Sequence, residues 1–205
     1  MQNSILGVIV LSAVVAPIAT AGIVVSTNKI IWDFQTAGAG LTTVTETFDG
    51  ISGGFYANPY TASIGSVGSG MAWTATAPGG LYVQSGLFST NSPADLTFTF
   101  SPGIQAVAGN FFATDIKFGT APALFRVTLS DGTGYEGYAD ASSNFTGFYS
   151  TSGATITSLT VRVSPPQGQA NLYPTVDNLY FGIPTPGVFA LLGVAGVLGF
   201  GMRRR

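Results

Sequence analysis

The chain of 205 residues has no cysteine and no histidine, and charged residues make up only 8% of it. Without cysteine there is no disulfide framework, so stability has to come from a buried core. The double absence also excludes Ser-His-Asp triads, Cys-His pairs, thiolate metal sites and imidazole zinc sites. Glutamate occurs only at Glu46 and Glu136. A glycosidase needs two carboxyls about 5–9.5 Å apart, and Glu136 and Asp140, four residues apart on one strand, stand roughly 13 Å apart. They would need a cross-strand partner such as Asp131 or Asp115, and the reading is that the chain is not an enzyme.

Basic residues are scarce too. Over residues 22–182, Lys29, Lys117, Arg126 and Arg162 face nine acids, for a net charge of −5. Nucleic acid is therefore not an expected partner, because binding it rests on clustered positive charge. The body also lacks a sustained 3.6-residue apolar period.

What it carries instead are short alternating runs of Val, Ile, Thr, Phe and Tyr between Gly, Ser, Asn and Pro clusters, the mark of an all-β chain. Strands are predicted over residues 29–34, 41–48, 71–76, 80–84, 95–100, 106–114, 123–130, 134–139, 145–150, 156–164 and 175–181. In Leu96-Thr97-Phe98-Thr99-Phe100 and Leu159-Thr160-Val161-Arg162-Val163 one face is apolar and the other polar, so two sheets should pack face to face. That many strands in about 165 residues suit a jelly-roll-like β-sandwich better than a seven-stranded immunoglobulin-like one. Asp49-Gly50 and Asp131-Gly132 read as turns. The glycines between Gly65 and Gly70 form a loop, with neither the lysine nor the following helix that a phosphate cradle requires.

The two ends differ from the body. Ile5 to Val15 is apolar, and Ala19-Thr20-Ala21 before Gly22 fits the small-x-small rule of signal peptidase, so residues 1–21 read as a signal peptide and 22–28 as a leader. At the other end, Ile183-Pro184-Thr185-Pro186-Gly187 precedes Val188 to Met202, 15 residues without a charge, and then Arg203-Arg204-Arg205. As a helix that stretch is about 23 Å long against a hydrocarbon core of about 30 Å. The arginines resist translocation and should stay cytoplasmic while the body lies across the membrane. Pro184 and Pro186 force the helix to begin after them and should keep the linker over 183–187 open.

This tail resembles the PEP-CTERM sorting signal read by the exosortase transpeptidases, with Thr185 where the name-giving glutamate would sit. The body is similar to many such exported proteins at Thr47-Phe48-Asp49-Gly50, Val127-Thr128-Leu129-Ser130-Asp131-Gly132, Phe145-Thr146-Gly147-Phe148, Ile156-Thr157-Ser158-Leu159 and Asp177-Asn178-Leu179-Tyr180-Phe181-Gly182. The resemblance implies export, signal peptidase and exosortase as partners, and Pro184, Thr185, Pro186, Gly187 with Arg203, Arg204 and Arg205 as the sorting residues. The mature protein would then belong to the cell envelope or an extracellular matrix, the membrane helix being transient or retained.

Two binding sites are expected from the residues themselves. Glu136, Tyr138 and Asp140 share a strand face beside Tyr135, setting a flat ring among acceptors suited to sugar hydroxyls, with Trp73, Tyr56 and Tyr60 as further stacking candidates. Trp73, between Ala72 and Thr74, reads primarily as core. Asp49 near the first strands and Asp177 with Asn178 near the last are candidates for a structural calcium ion bound through oxygen. No cofactor is otherwise expected.

Overall fold

The structure is a computed structural model and describes residues 22–65, 70–167 and 171–185. Ala19, Ala21, Pro186, Gly187, Arg203, Arg204, Arg205 and the helix expected over 188–202 lie outside the described residues. The chain opens with β1 (Ile23–Ser26), α1 (Lys29–Gly38), β2 (Leu41–Glu46), β3 (Gly54–Tyr56) and β4 (Tyr60–Ser63). It continues through β5 (Ala72–Thr76), β6 (Leu81–Gln84), β7 (Leu87–Thr90), β8 (Leu96–Phe100), β9 (Ala106–Thr114) and β10 (Thr120–Ala121). It closes with β11 (Ala123–Leu129), β12 (Gly134–Ala139), β13 (Phe145–Ser150), β14 (Ser158–Ser164) and β15 (Tyr173–Pro184).

These strands form two antiparallel sheets, an all-β sandwich. One has nine strands in the order β1-β13-β9-β15-β7-β6-β3, with β10 on β9 and β2 on β15, and the other runs β12-β11-β14-β8-β5-β4. Alternation decides what lies between them. Leu96, Phe98 and Phe100 of β8 and Leu159 and Val161 of β14 point inward against Phe88, Phe111, Val176, Leu179 and Phe181 of the larger sheet. Trp73 sits in the middle of this core, fully buried, with its ring centroid 5.4–5.7 Å from those of Phe48, Tyr60, Phe88 and Phe98. The predicted reading of Trp73 as core is what the structure has.

β15 carries a bulge that matters for its neighbours. Asn178 adopts φ 59° and the pairing with β9 shifts between Asp177 and Leu179. Asparagine tolerates the left-handed region, and the extra residue lets both Val176 and Leu179 reach the core.

Three sequence expectations are corrected. Residues 29–34, predicted as a strand, belong to α1. Asn28 caps it by accepting a hydrogen bond from Ile31 N at 3.2 Å, and Lys29 and Asp33 pair one turn apart. Ile30, Ile31 and Phe34 share one side with Trp32 opposite them among polar residues, and ten residues are too few for that stripe to stand out as a sustained period. Residues 22–28, read as a leader, contain β1, held antiparallel to β13 from Ile23↔Ser150 to Ser26↔Gly147. The segment 183–187, read as an open linker, begins inside the sheet: Ile183 pairs with Thr42 and Pro184 with Leu41. Proline is accommodated there because it ends the strand and the β9 ladder has already stopped at Gly182↔Ala106. The short strands β3, β4, β7 and β10 were not foreseen.

α1 lies on the outer face of the nine-stranded sheet. Trp32 and Thr36 are buried beneath it, Trp32 packs on Phe145 and Tyr180 at 6.1 and 6.2 Å, and its Nε1 donates to Phe148 O at 3.3 Å. Gly147 is required at this crossing, since a Cβ there would lie 2.7 Å from the indole nitrogen.

Candidate functional site

The predicted site residues fall into separate places. Thr185, the second residue of the sorting motif, is clamped to the turn after α1: its N and Oγ1 donate to Gly40 O at 3.2 and 3.0 Å, and its hydroxyl meets that of Thr42 at 3.1 Å. Gly22, at the expected signal-peptidase cut, offers its carbonyl to Thr151 N and Oγ1 at 2.9 and 3.0 Å.

The four expected sugar contacts are divided. Glu136 and Tyr138 are exposed on the outer face of β12, an edge strand. Tyr135 points to the opposite side, where its ring packs on Phe125 at 5.8 Å. Asp140 lies past the end of β12, exposed, by a shallow hollow shared with Asn28, Lys29 and Asn144. Tyr56 and Tyr60 meet edge to face at 4.9 Å and pack against the core.

The calcium candidates are brought into one neighbourhood. The Asp177 carboxyl is raised above the ordinary carboxylate range by burial first and then by the charge of Asp49, and Asn178 Nδ2 donates to Asp177 Oδ1 at 2.9 Å. Among the described residues no group of three or more acidic, His or Cys side chains is placed to hold a metal ion. Several other acids serve the fold. Asp95 holds Arg162 through two bonds of 2.9 and 2.6 Å, Asp131 receives Thr133 N at 2.9 Å and Thr133 Oγ1 at 3.0 Å, and Glu46 joins Phe48 N to Trp73 Nε1 at 2.8 and 3.1 Å.

A cleft that the sequence did not suggest opens elsewhere. It has a volume of about 270 Å³ and is bounded by Tyr82, Phe118 and Tyr173, with Gln84, Asn91 and Asp115 on its rim. β6 supplies Tyr82 and Gln84 because Leu81 and Val83 alternate into the core. Phe118 closes against Tyr82 at 5.4 Å, held by a turn in which Asp115 Oδ1 accepts from Lys117 N and Gly119 N, both at 2.8 Å. The floor is a ladder of buried hydroxyls across three strands, Ser89 to Thr175 at 2.9 Å and Thr175 to Thr114 at 2.8 Å. Such a floor is rigid because its groups satisfy one another. The rim differs: no hydrogen bond holds Asp115 Oδ2, Asn91 Oδ1 or the Gln84 amide to a described residue. Rings beside unengaged amide and carboxylate groups, with one acid among them, suit a neutral, hydroxyl-rich ligand.

Tyr82 and Gln84 were legible as outward residues of a strand, but Phe118 and Tyr173 reach the same cleft from distant parts of the chain. The chain matches no family model, no curated protein and no solved structure. Among the described residues no helix is long and apolar enough to cross a membrane.

Proposed function

We propose that the chain is a non-catalytic exported protein of the cell envelope or extracellular matrix, sorted by an exosortase through its C-terminal segment. The observation that carries this is the order of the last 23 residues: a Pro-Thr-Pro-Gly break, an uncharged apolar run and three arginines, starting in the last two residues of the strand that completes the sandwich. That sandwich is of the jelly-roll-like kind on this reading, supported by a chain that passes between sheets from β4 and β5 to β6 and β7 and back to β8. Signal peptidase acts before Gly22 and exosortase near Thr185. Because β15 holds Pro184 in register with Leu41, the bond cut is expected after Thr185.

Intact mass of the protein from envelope and medium tests this. The expected species begins at Gly22 and has lost residues 186–205. Replacing Arg203, Arg204 and Arg205 together with serine should let the tail slip through the membrane and reduce the processed, retained form several-fold. A full-length C-terminus in every fraction, or processing indifferent to the arginines, would count against the sorting reading.

A second reading, a carbohydrate-binding module of an exopolysaccharide layer, is favoured by the cleft of Tyr82, Phe118 and Tyr173. Its volume of about 270 Å³ is near the lower bound of about 300 Å³ for small-molecule sites, enough for one sugar ring. On a glycan array the full-length chain should bind neutral glycans. Tyr82→Ala should weaken that binding roughly 2- to 10-fold, the loss of one stacked ring, and Asp115→Asn, which keeps the turn, should weaken it too. Binding that follows Tyr138→Ala instead would move the site to β12, and absence of binding with and without calcium would end the reading.

A further inference from the structure

The outward side of α1 is apolar where solvent should meet charge. At 100° per residue, Trp32 and Thr36 point to the sheet and Ile30, Ile31 and Phe34 to the far side, where they are 79%, 52% and 80% exposed. Ala37 and Gly38 complete that side without a charge. The only charged residues of the helix, Lys29 and Asp33, pair with each other at 2.7 Å. The apolar stripe of a helix is expected to face a core or lipid, and this one is turned away from the fold.

We propose that this face of α1 lies in the surface of a lipid bilayer, beside the point where the C-terminal segment enters it. The inference rests on reading residues 188–202 as a membrane segment. Thr185 is bonded to Gly40, two residues past the end of α1, so the chain leaves the domain at that end of the helix. The uncharged run begins three residues later, at Val188. α1 is about 15 Å long, which keeps the whole apolar face within one helix length of the exit.

Neither element suffices alone. The tail is short for the hydrocarbon core, about 23 Å against 30 Å, and three side chains on a surface helix give weak, reversible binding. Stable attachment to a bilayer takes two such signals. Together they hold the domain down, and cutting the chain after Thr185 removes one of them, so proteolysis becomes release. The face has no net charge, and its binding is therefore insensitive to salt and needs no anionic lipid.

The absence of cysteine supplies the test, since a single introduced thiol takes one label. Full-length Phe34→Cys and, as a control on the outer face of β11, Leu124→Cys are labelled with the fluorophore NBD. Each is reconstituted by detergent removal into phosphatidylcholine vesicles containing a nitroxide lipid. If the chain does not float with the vesicles, the membrane reading of the tail and this inference fall together. In chains that float, quenching at Phe34 should exceed that at Leu124 by about threefold and persist in about 0.5 M salt. Equal quenching overturns the inference and leaves the tail reading standing, the face then being covered by the tail itself or by a second copy. The unlabelled Ile30→Ser, Ile31→Ser, Phe34→Ser chain, altered only at exposed positions, should transfer to acceptor vesicles about 10-fold faster than its parent. An unchanged transfer rate would also overturn it.

Discussion

Replacing Trp73 with alanine should remove about 3–5 kcal/mol of stability, the usual cost of emptying a large buried aromatic site. Trp73 is fully buried and touches four other rings, so the walls of the void belong to both sheets and cannot close without moving them. A domain of this kind has roughly 5–15 kcal/mol in total. The loss therefore falls between a fifth and all of it, and the urea midpoint should drop by about 2 M for a slope of about 2 kcal/mol/M.

Two further effects enlarge it. The indole nitrogen donates to Glu46 Oε2 at 3.1 Å, and the other oxygen of Glu46 holds the backbone of Phe48. Phe48 is at φ 59°, a left-handed conformation uncommon for a bulky residue and worth about 1–3 kcal/mol of strain. Its ring rests on Trp73 and on Phe88, at 5.6 and 5.1 Å. Without the indole, both supports of that conformation weaken. Trp73→Phe is the milder change: it keeps one ring in the core while giving up the bond to Glu46 and part of the indole volume, so its midpoint should lie nearer the parent. A midpoint shift below about 0.5 M for the alanine variant would mean that the site collapses freely, contrary to the packing described.

The reading of the chain from its residues succeeded where one physical signal acted alone. Residues 106–114, 134–139 and 145–150 are bounded by turn residues, and the strands β9, β12 and β13 have those limits. Signals that overlapped defeated it. Ile30, Ile31 and Phe34 form a stripe of little more than one turn with Trp32 opposite, too short to stand out as a helical period. Ile23 to Ser26 follow closely on the apolar run from Ile5 to Val15, and their pairing with residues 147–150 is far away in sequence. Ser89 and Thr90 look like loop residues but are buried, Ser89 bonded to Thr175 and to Pro174 O.

The candidate sites divide in the same way. A strand face such as Glu136 and Tyr138 follows from alternation alone, whereas the cleft joins a β6 ring, a ring in the turn before β10 and a ring at the start of β15. Tyr173 and Thr185 lie at opposite ends of β15, roughly 40 Å apart along an extended strand. The cleft is thus at the far end of β15 from Thr185, the arrangement that a module tethered as proposed above needs if its cleft is to face outward.

Trp32→Ala should detach α1 and leave the sandwich folded. The cost of removing the ring is again about 3–5 kcal/mol, but here the element that depends on it can leave as a unit. A helix of 10 residues is marginal by itself in water, and α1 is fixed to the sheet chiefly by this one side chain, through Phe145, Tyr180 and Phe148 O. Hydrogen exchange of the peptide covering residues 29–39 should therefore lose roughly 150- to 4,000-fold in protection, the same free energy expressed as an opening equilibrium. β11 and β14, in the other sheet, should be unchanged. A uniform loss across both sheets would mean that α1 and the sandwich unfold together. Exchange confined to α1 makes the helix a separable addition to a core that is complete without it, and its apolar outward side is then a surface the fold does not require.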